Sequence, residues 1–206
     1  MLTHFQLKRL VTGIKKIVNR TKLNLSGLTI ITECATGIYA CTPIIALLAG
    51  ARQVICFGKD SRYGTFSSAK EDVIKLAQIM SLQQRSLIIT EREEVLTDYL
   101  RKADIVTNSG HVRPLDKKKL MNLKQNTVIP LMYESWEFRK TDIDLAYCKE
   151  KSIAVAGTNE RHPDINVFNY LGPLIAKVLL NSSMEIIENK YLIVCDNDFT
   201  EYIAKS

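Results

Sequence analysis

Apolar residues change period along this chain. From residue 24 onward, short runs rich in Val, Ile, Leu and Thr occupy 28–32, 53–57, 87–90, 104–107, 127–132, 153–156 and 191–195. Between them lie stretches whose apolar residues recur every three or four positions. That alternation is the pattern of a parallel sheet whose strands are joined by crossover helices. Residues 38–49 predict the first such helix, stopped by Gly50. Ser68 with Glu71, and Thr90 with Glu93, have capping-box spacing ahead of helical patterns reaching Met80 and Leu100. Shorter helices are expected at 116–123 and 141–150, and the apolar stretch 167–180 predicts a buried helix bent at Gly172-Pro173. The expected fold class is α/β: an open, mainly parallel, three-layer α/β/α sheet.

The first 24 residues follow a different pattern. Phe5, Leu10, Ile14, Ile17 and Val18 recur at helical spacing, with Lys8, Arg9, Lys15, Lys16 and Arg20 mostly between them. The whole chain has 206 residues and a net charge of +6, and residues 1–22 carry that entire excess, so the remainder is electrically balanced. With no aromatic interleaving and no second basic patch, this reads as an amphipathic helix docked on the domain with a solvated basic face. Nucleic acid is not an expected partner. The expected organisation is therefore 1–24 as this helix, 25–185 as the α/β domain and 186–206 as a last strand and helix start. Two readings of that final segment stay open: it completes the first sheet, or it begins a second lobe of a longer protein.

Composition narrows the class. At 46% hydrophobic and 24% charged the chain is neither disordered nor fibrous. It has no uninterrupted apolar run of about 18 residues and no signal-peptide pattern at its start, so a cytoplasmic protein is expected. Cys34, Cys41, Cys56, Cys148 and Cys195 show no paired C-x-x-C spacing and fall in apolar stretches, which suits free thiols and excludes a zinc knuckle.

In an open parallel sheet, ligands bind beyond the carboxyl ends of the strands, so the polar residues there are the candidates. After the first strand, Ala35-Thr36-Gly37-Ile38-Tyr39-Ala40 keeps the second Gly and last small residue of the G-x-G-x-x-G/A dinucleotide fingerprint, with Ala35 replacing the first Gly. The second strand leads into Lys59, Asp60, Ser61 and Arg62. Two cations and a hydroxyl there favour a 2′-phosphate, so the expected cofactor is NADP in preference to NAD. Glu33 conflicts with this reading, because a carboxylate beside the fingerprint repels pyrophosphate. Either it points away or the ligand is not a dinucleotide.

The run Ala103 to Gly110, a helix ending at Leu120 to Lys124, and then Thr127 to Pro130 resemble the second half of NAD(P)-binding Rossmann domains. The layout is similar to that of S-adenosylhomocysteine hydrolases and D-2-hydroxyacid dehydrogenases. The resemblance implies a Rossmann-like fold, with Thr107, Asn108, Ser109 and Gly110 bordering the nicotinamide ribose and the loop from Glu134 to Arg139 facing the reacting centre. Residues 142–148 and 152–155 also resemble the end of the substrate-binding lobe of D-2-hydroxyacid dehydrogenases.

A nicotinamide enzyme needs a proton-exchanging group and a cation near the reacting oxygen. His111 or His162 suits the first role, Arg113 or Arg139 the second, and Glu134 completes the expected catalytic set. The expected function is an NAD(P)-binding domain of an oxidoreductase acting on a small molecule, working as a homodimer or with a second lobe. Two alternatives remain. One is a substrate-binding or noncatalytic lobe. The other is a carboxylate and imidazole cluster of Glu33, His111, Glu134, Glu160 and His162 for a divalent metal or cationic substrate, although no short-range metal motif supports it.

Overall fold

Neighbouring residues on the central strands enter opposite cores, which makes this a three-layer protein. In the computed structural model, which describes residues 4–82, 86–163 and 165–205, Ile30, Val54 and Cys56 pack on one side of the sheet. Ile31, Ile55 and Phe57 pack on the other. Strands buried on both faces need β-branched and apolar residues at every position, the composition that marks these runs in the sequence.

The chain runs α1 (His4–Thr21), β1 (Thr29–Glu33), α2 (Cys41–Leu48), β2 (Gln53–Phe57), α3 (Phe66–Ile79), β3 (Leu87–Thr90) and α4 (Glu93–Leu100). It continues through β4 (Ile105–Val106), α5 (Lys117–Leu120), β5 (Val128–Pro130), α6 (Leu145–Glu150) and β6 (Ala154–Ala156). The six strands are all parallel, in the order β3-β2-β1-β4-β5-β6. The chain winds outward from β1 in both directions, so the strand order reverses between β1 and β4. The helices α1, α2 and α3 cover one face, while α4, α5 and α6 contribute Leu96, Leu120 and Cys148 to the other.

Asp104 fastens the sheet at its amino-terminal edge. One carboxylate oxygen accepts the Thr29 amide at 2.7 Å and the other accepts the Lys124 ammonium. The side chain thereby joins the starts of β1 and β4 to the segment entering β5. Burial pushes this carboxyl up, but the hydrogen bonds from Lys124 and Thr29, with the charges of Lys124 and Arg52, outweigh it and hold the group below its ordinary value.

Several boundaries differ from the sequence expectation for local reasons. The helix expected from residue 38 opens with a 3-10 turn, Gly37–Ala40, before α2. Helix α3 starts ahead of the Ser68 capping pattern because Thr65 is extended and its side chain accepts the Ser68 amide. On α1, Leu7, Ile14 and Val18 make the buried face, whereas Phe5 and Ile17 point to solvent.

The chain divides into two compact units, with the boundary between Thr158 and Asn159. In the second, a 3-10 turn (Phe168–Tyr170) leads into α7 (Leu171–Asn181), and α8 (Phe199–Ala204) follows. Phe168 stacks against Phe199 and Tyr202, with ring centroids 5.0 and 5.4 Å apart, and the Arg161 guanidinium pairs with Asp198 at 2.8 Å. Here two expectations are corrected. The run 191–195 is irregular rather than a strand, and α7 exposes Leu174, Val178 and Leu180 instead of being buried. Residues 1–3 and Ser206, which belong to the expected terminal segments, lie outside the described residues.

Candidate functional site

Strand β1 ends on Glu33 and β4 leads through Thr107 into Asn108, so these two exits lie side by side where the strand order reverses. A cleft of about 850 Å³ opens there, lined by the exits of β1, β2, β4 and β5. That volume falls within the range of small-molecule and cofactor pockets.

The floor of the cleft carries a buried polar network. Thr107 Oγ1 donates to Thr32 Oγ1 at 2.9 Å and lies 2.8 Å from Ser109 Oγ. Ser109 in turn hydrogen-bonds the Glu33 side chain. Glu33 is only 7% exposed, and burial pushes its carboxyl above the ordinary range; the nearby Arg113 charge and the Ser109 bond oppose that shift. Glu33 does not point away as the dinucleotide reading of the sequence requires: it lies under the β4 exit and still contributes to the cleft wall, where burial disfavours the charge that would repel a pyrophosphate.

A second chain of hydrogen bonds runs in one direction. Arg113 Nη1 donates to Asp142 Oδ2 at 3.4 Å, and Tyr133 Oη donates to the same oxygen at 3.2 Å. Because Tyr133 has committed its only proton to Asp142, it accepts from Asn108 Nδ2, at 2.7 Å. Burial and then the Asp142 charge push the Tyr133 hydroxyl up, so it stays protonated. This polarity fixes the Asn108 amide. Its Oδ1 is the only buried side-chain nitrogen or oxygen among the described residues with no hydrogen-bond partner. Asn108 is 1% exposed and lines the cleft. An orphaned buried acceptor costs stability until a donor reaches it.

The sequence candidates distribute unevenly. Ala35, Thr36, Ile38, Lys59, Ser61, Asn108, Ser109, Gly110, His111 and Arg113 all line the cleft. Lys59 pairs with Glu93 at 2.7 Å. Gly37 does not line the cleft; its amide donates to Asp72 Oδ2 at 2.9 Å. Asp60 accepts the Phe66 amide at 2.8 Å, and the Arg62 guanidinium lies 4.7 Å above the Tyr63 ring. Glu134 caps the 3-10 turn Ser135–Glu137 and accepts the Trp136 indole N–H, while Arg139 is exposed away from the lining. His162 belongs to the second unit. Among the described residues, no three His, Cys, Asp or Glu side chains converge as metal ligands would. Sequence reasoning missed Tyr133 and Asp142 as the pair that orients Asn108, and Asp72 altogether.

No family model and no curated protein matches the chain. Solved structures do. Dipicolinate synthase from Bacillus subtilis superposes with a TM-score of 0.51 at 15% identity, over 85% of this chain and 53% of that one. Its counterpart from Bacillus halodurans gives 0.50 at 13%, over 87% and 54%. The fold is Rossmann-like. Shikimate 5-dehydrogenase from Listeria monocytogenes, solved with shikimate and NAD, gives 0.47 at 15%, over 71% and 51%. The chain thus spans about half the length of these solved structures. No described helix is long and apolar enough to cross a membrane.

Proposed function

We propose that this chain is the dinucleotide-binding part of an oxidoreductase acting on a small molecule. The observation that carries the reading is the place of the cleft: it opens beyond the carboxyl ends of β1 and β4, where the strand order reverses, the position at which Rossmann-type sheets hold dinucleotides. The orphaned Asn108 Oδ1 fits such a ligand, which offers ribose hydroxyl and carboxamide donors. Lys59, which would part from Glu93 to do so, and Ser61 lie on the β2 side and suit a 2′-phosphate, so NADP is preferred to NAD.

A bound nicotinamide supplies or accepts a hydride. The residues of this chain do the rest. His111 exchanges a proton with the substrate oxygen, and Arg113, held by Asp142, polarises that oxygen. The substrate side is completed by a second lobe or a second copy of the chain. The free thiols suit a protein of the reducing cytoplasm. Calorimetric titration with NADPH and NADH tests the reading. Saturable binding, tighter for NADPH, is expected, and absence of binding of both at millimolar concentration overturns it.

A further inference from the structure

Gly37 adopts a left-handed φ of +64° in the turn where a Rossmann βα unit presents backbone N–H groups to pyrophosphate. In this chain that N–H already has an anion. Asp72 Oδ2 accepts it at 2.9 Å, from a residue 35 positions further on. Asp72 is no local cap, because it is delivered by α3, a 14-residue helix anchored in the core by Val73, Leu76 and Ala77. A single N–H does not serve two anions at once, and a carboxylate beside a pyrophosphate repels it. Gly37 and Asp72 do not themselves line the cleft, but Thr36 and Ile38 on either side of Gly37 do, and so does Asn108, whose buried Oδ1 has no partner.

We infer that Asp72 is an internal anion standing where the cofactor's pyrophosphate belongs, so that the affinity for dinucleotides is set by the displacement of this carboxylate. The inference rests on the dinucleotide reading above and deepens it by naming the residue that governs entry. The bound state is reached only after Asp72 leaves Gly37, and the apparent affinity falls by the fraction of molecules in which it has done so.

The test is calorimetric titration of the wild-type chain, Asp72→Asn and Asp72→Ala with NADPH and, separately, with inorganic pyrophosphate, with thermal melts run alongside. Asp72→Ala is expected to bind both probes about tenfold or more tighter, the scale of one charge-assisted hydrogen bond. Asp72→Asn loses the charge, keeps an oxygen that accepts from Gly37, and falls between the two; it also serves as the second variant if alanine unfolds the chain. Binding of NADPH by the wild type with no gain in either variant overturns the role of Asp72 and leaves the dinucleotide reading standing. No binding of NADPH by any of the three overturns both.

Discussion

A β-carbon added to Gly110 would lie 2.6 Å from Glu33 Oε2 and 2.8 Å from Glu33 Cβ. The exits of β1 and β4 therefore meet at a point that only glycine fills, and Gly110 also holds a left-handed φ of +50°. Gly110→Ala is expected to destabilise the domain by about 1–3 kcal/mol through strain and overpacking. Urea unfolding checks this, and the same variant should bind NADPH more weakly, since the displaced Glu33 moves into the cleft.

Glu33 makes stability depend on pH. Its folded carboxyl titrates above the ordinary value, chiefly because it is buried, so the folded state holds this proton more tightly than the unfolded chain. The contribution is fully present below the ordinary carboxylate value and is lost as pH rises through the folded one. Melting temperatures of the wild type should therefore fall across that window relative to Glu33→Gln, which cannot ionise. Parallel curves for the two proteins would refute the assignment.

Tyr133→Phe removes the acceptor that fixes the Asn108 amide and leaves its buried Nδ2 donor without that partner. A cost of about 1–3 kcal/mol is expected in denaturant unfolding. Asn108→Ala, which removes the unpartnered acceptor of a cleft-lining residue, should weaken NADPH binding. It costs less stability than its burial suggests, because the wild-type Oδ1 is already unsatisfied.

The cysteines should react in a defined order. Cys34 lines the cleft, but burial, and then the Glu33 charge, push its thiol up to about 12, and burial raises Cys148 to about 11. Cys195 is exposed, and hydrogen bonding, first with the Thr200 side chain, holds its thiol below the ordinary value. Iodoacetamide at neutral pH should alkylate Cys195 first and leave Cys34 unmodified in the folded protein, as peptide mass spectrometry will show.

Strands β1 and β2 were legible because burial on both faces demands apolar residues without alternation, and the partly exposed β5 and β6 because they are short apolar runs between helical patterns. The rim residues His111, Arg113, Lys59 and Ser61 were legible for a related reason: a strand end fixes where its next few residues lie. Asp72 was not. It sits 35 residues from Gly37, on a helix whose own spacing encodes only its packing face. The orientation of Asn108 was equally hidden, since it depends on Tyr133 and Asp142, polar loop residues with no distinctive spacing. The run 191–195 misled because its β-branched residues report a capacity to pair, whereas Leu192 and Val194 are solvent-exposed.

The Asp104 clasp lies at the opposite end of the strands from the cleft. A sheet tied there behaves like a book bound at its spine: the pages keep their order however far the fore-edge parts. Loops at the mouth can change length, swing or exchange residues without any strand slipping past its neighbour. Adaptation to a new ligand then falls on the exits of β1, β2, β4 and β5, while the register between Ile30 and Ile105 persists.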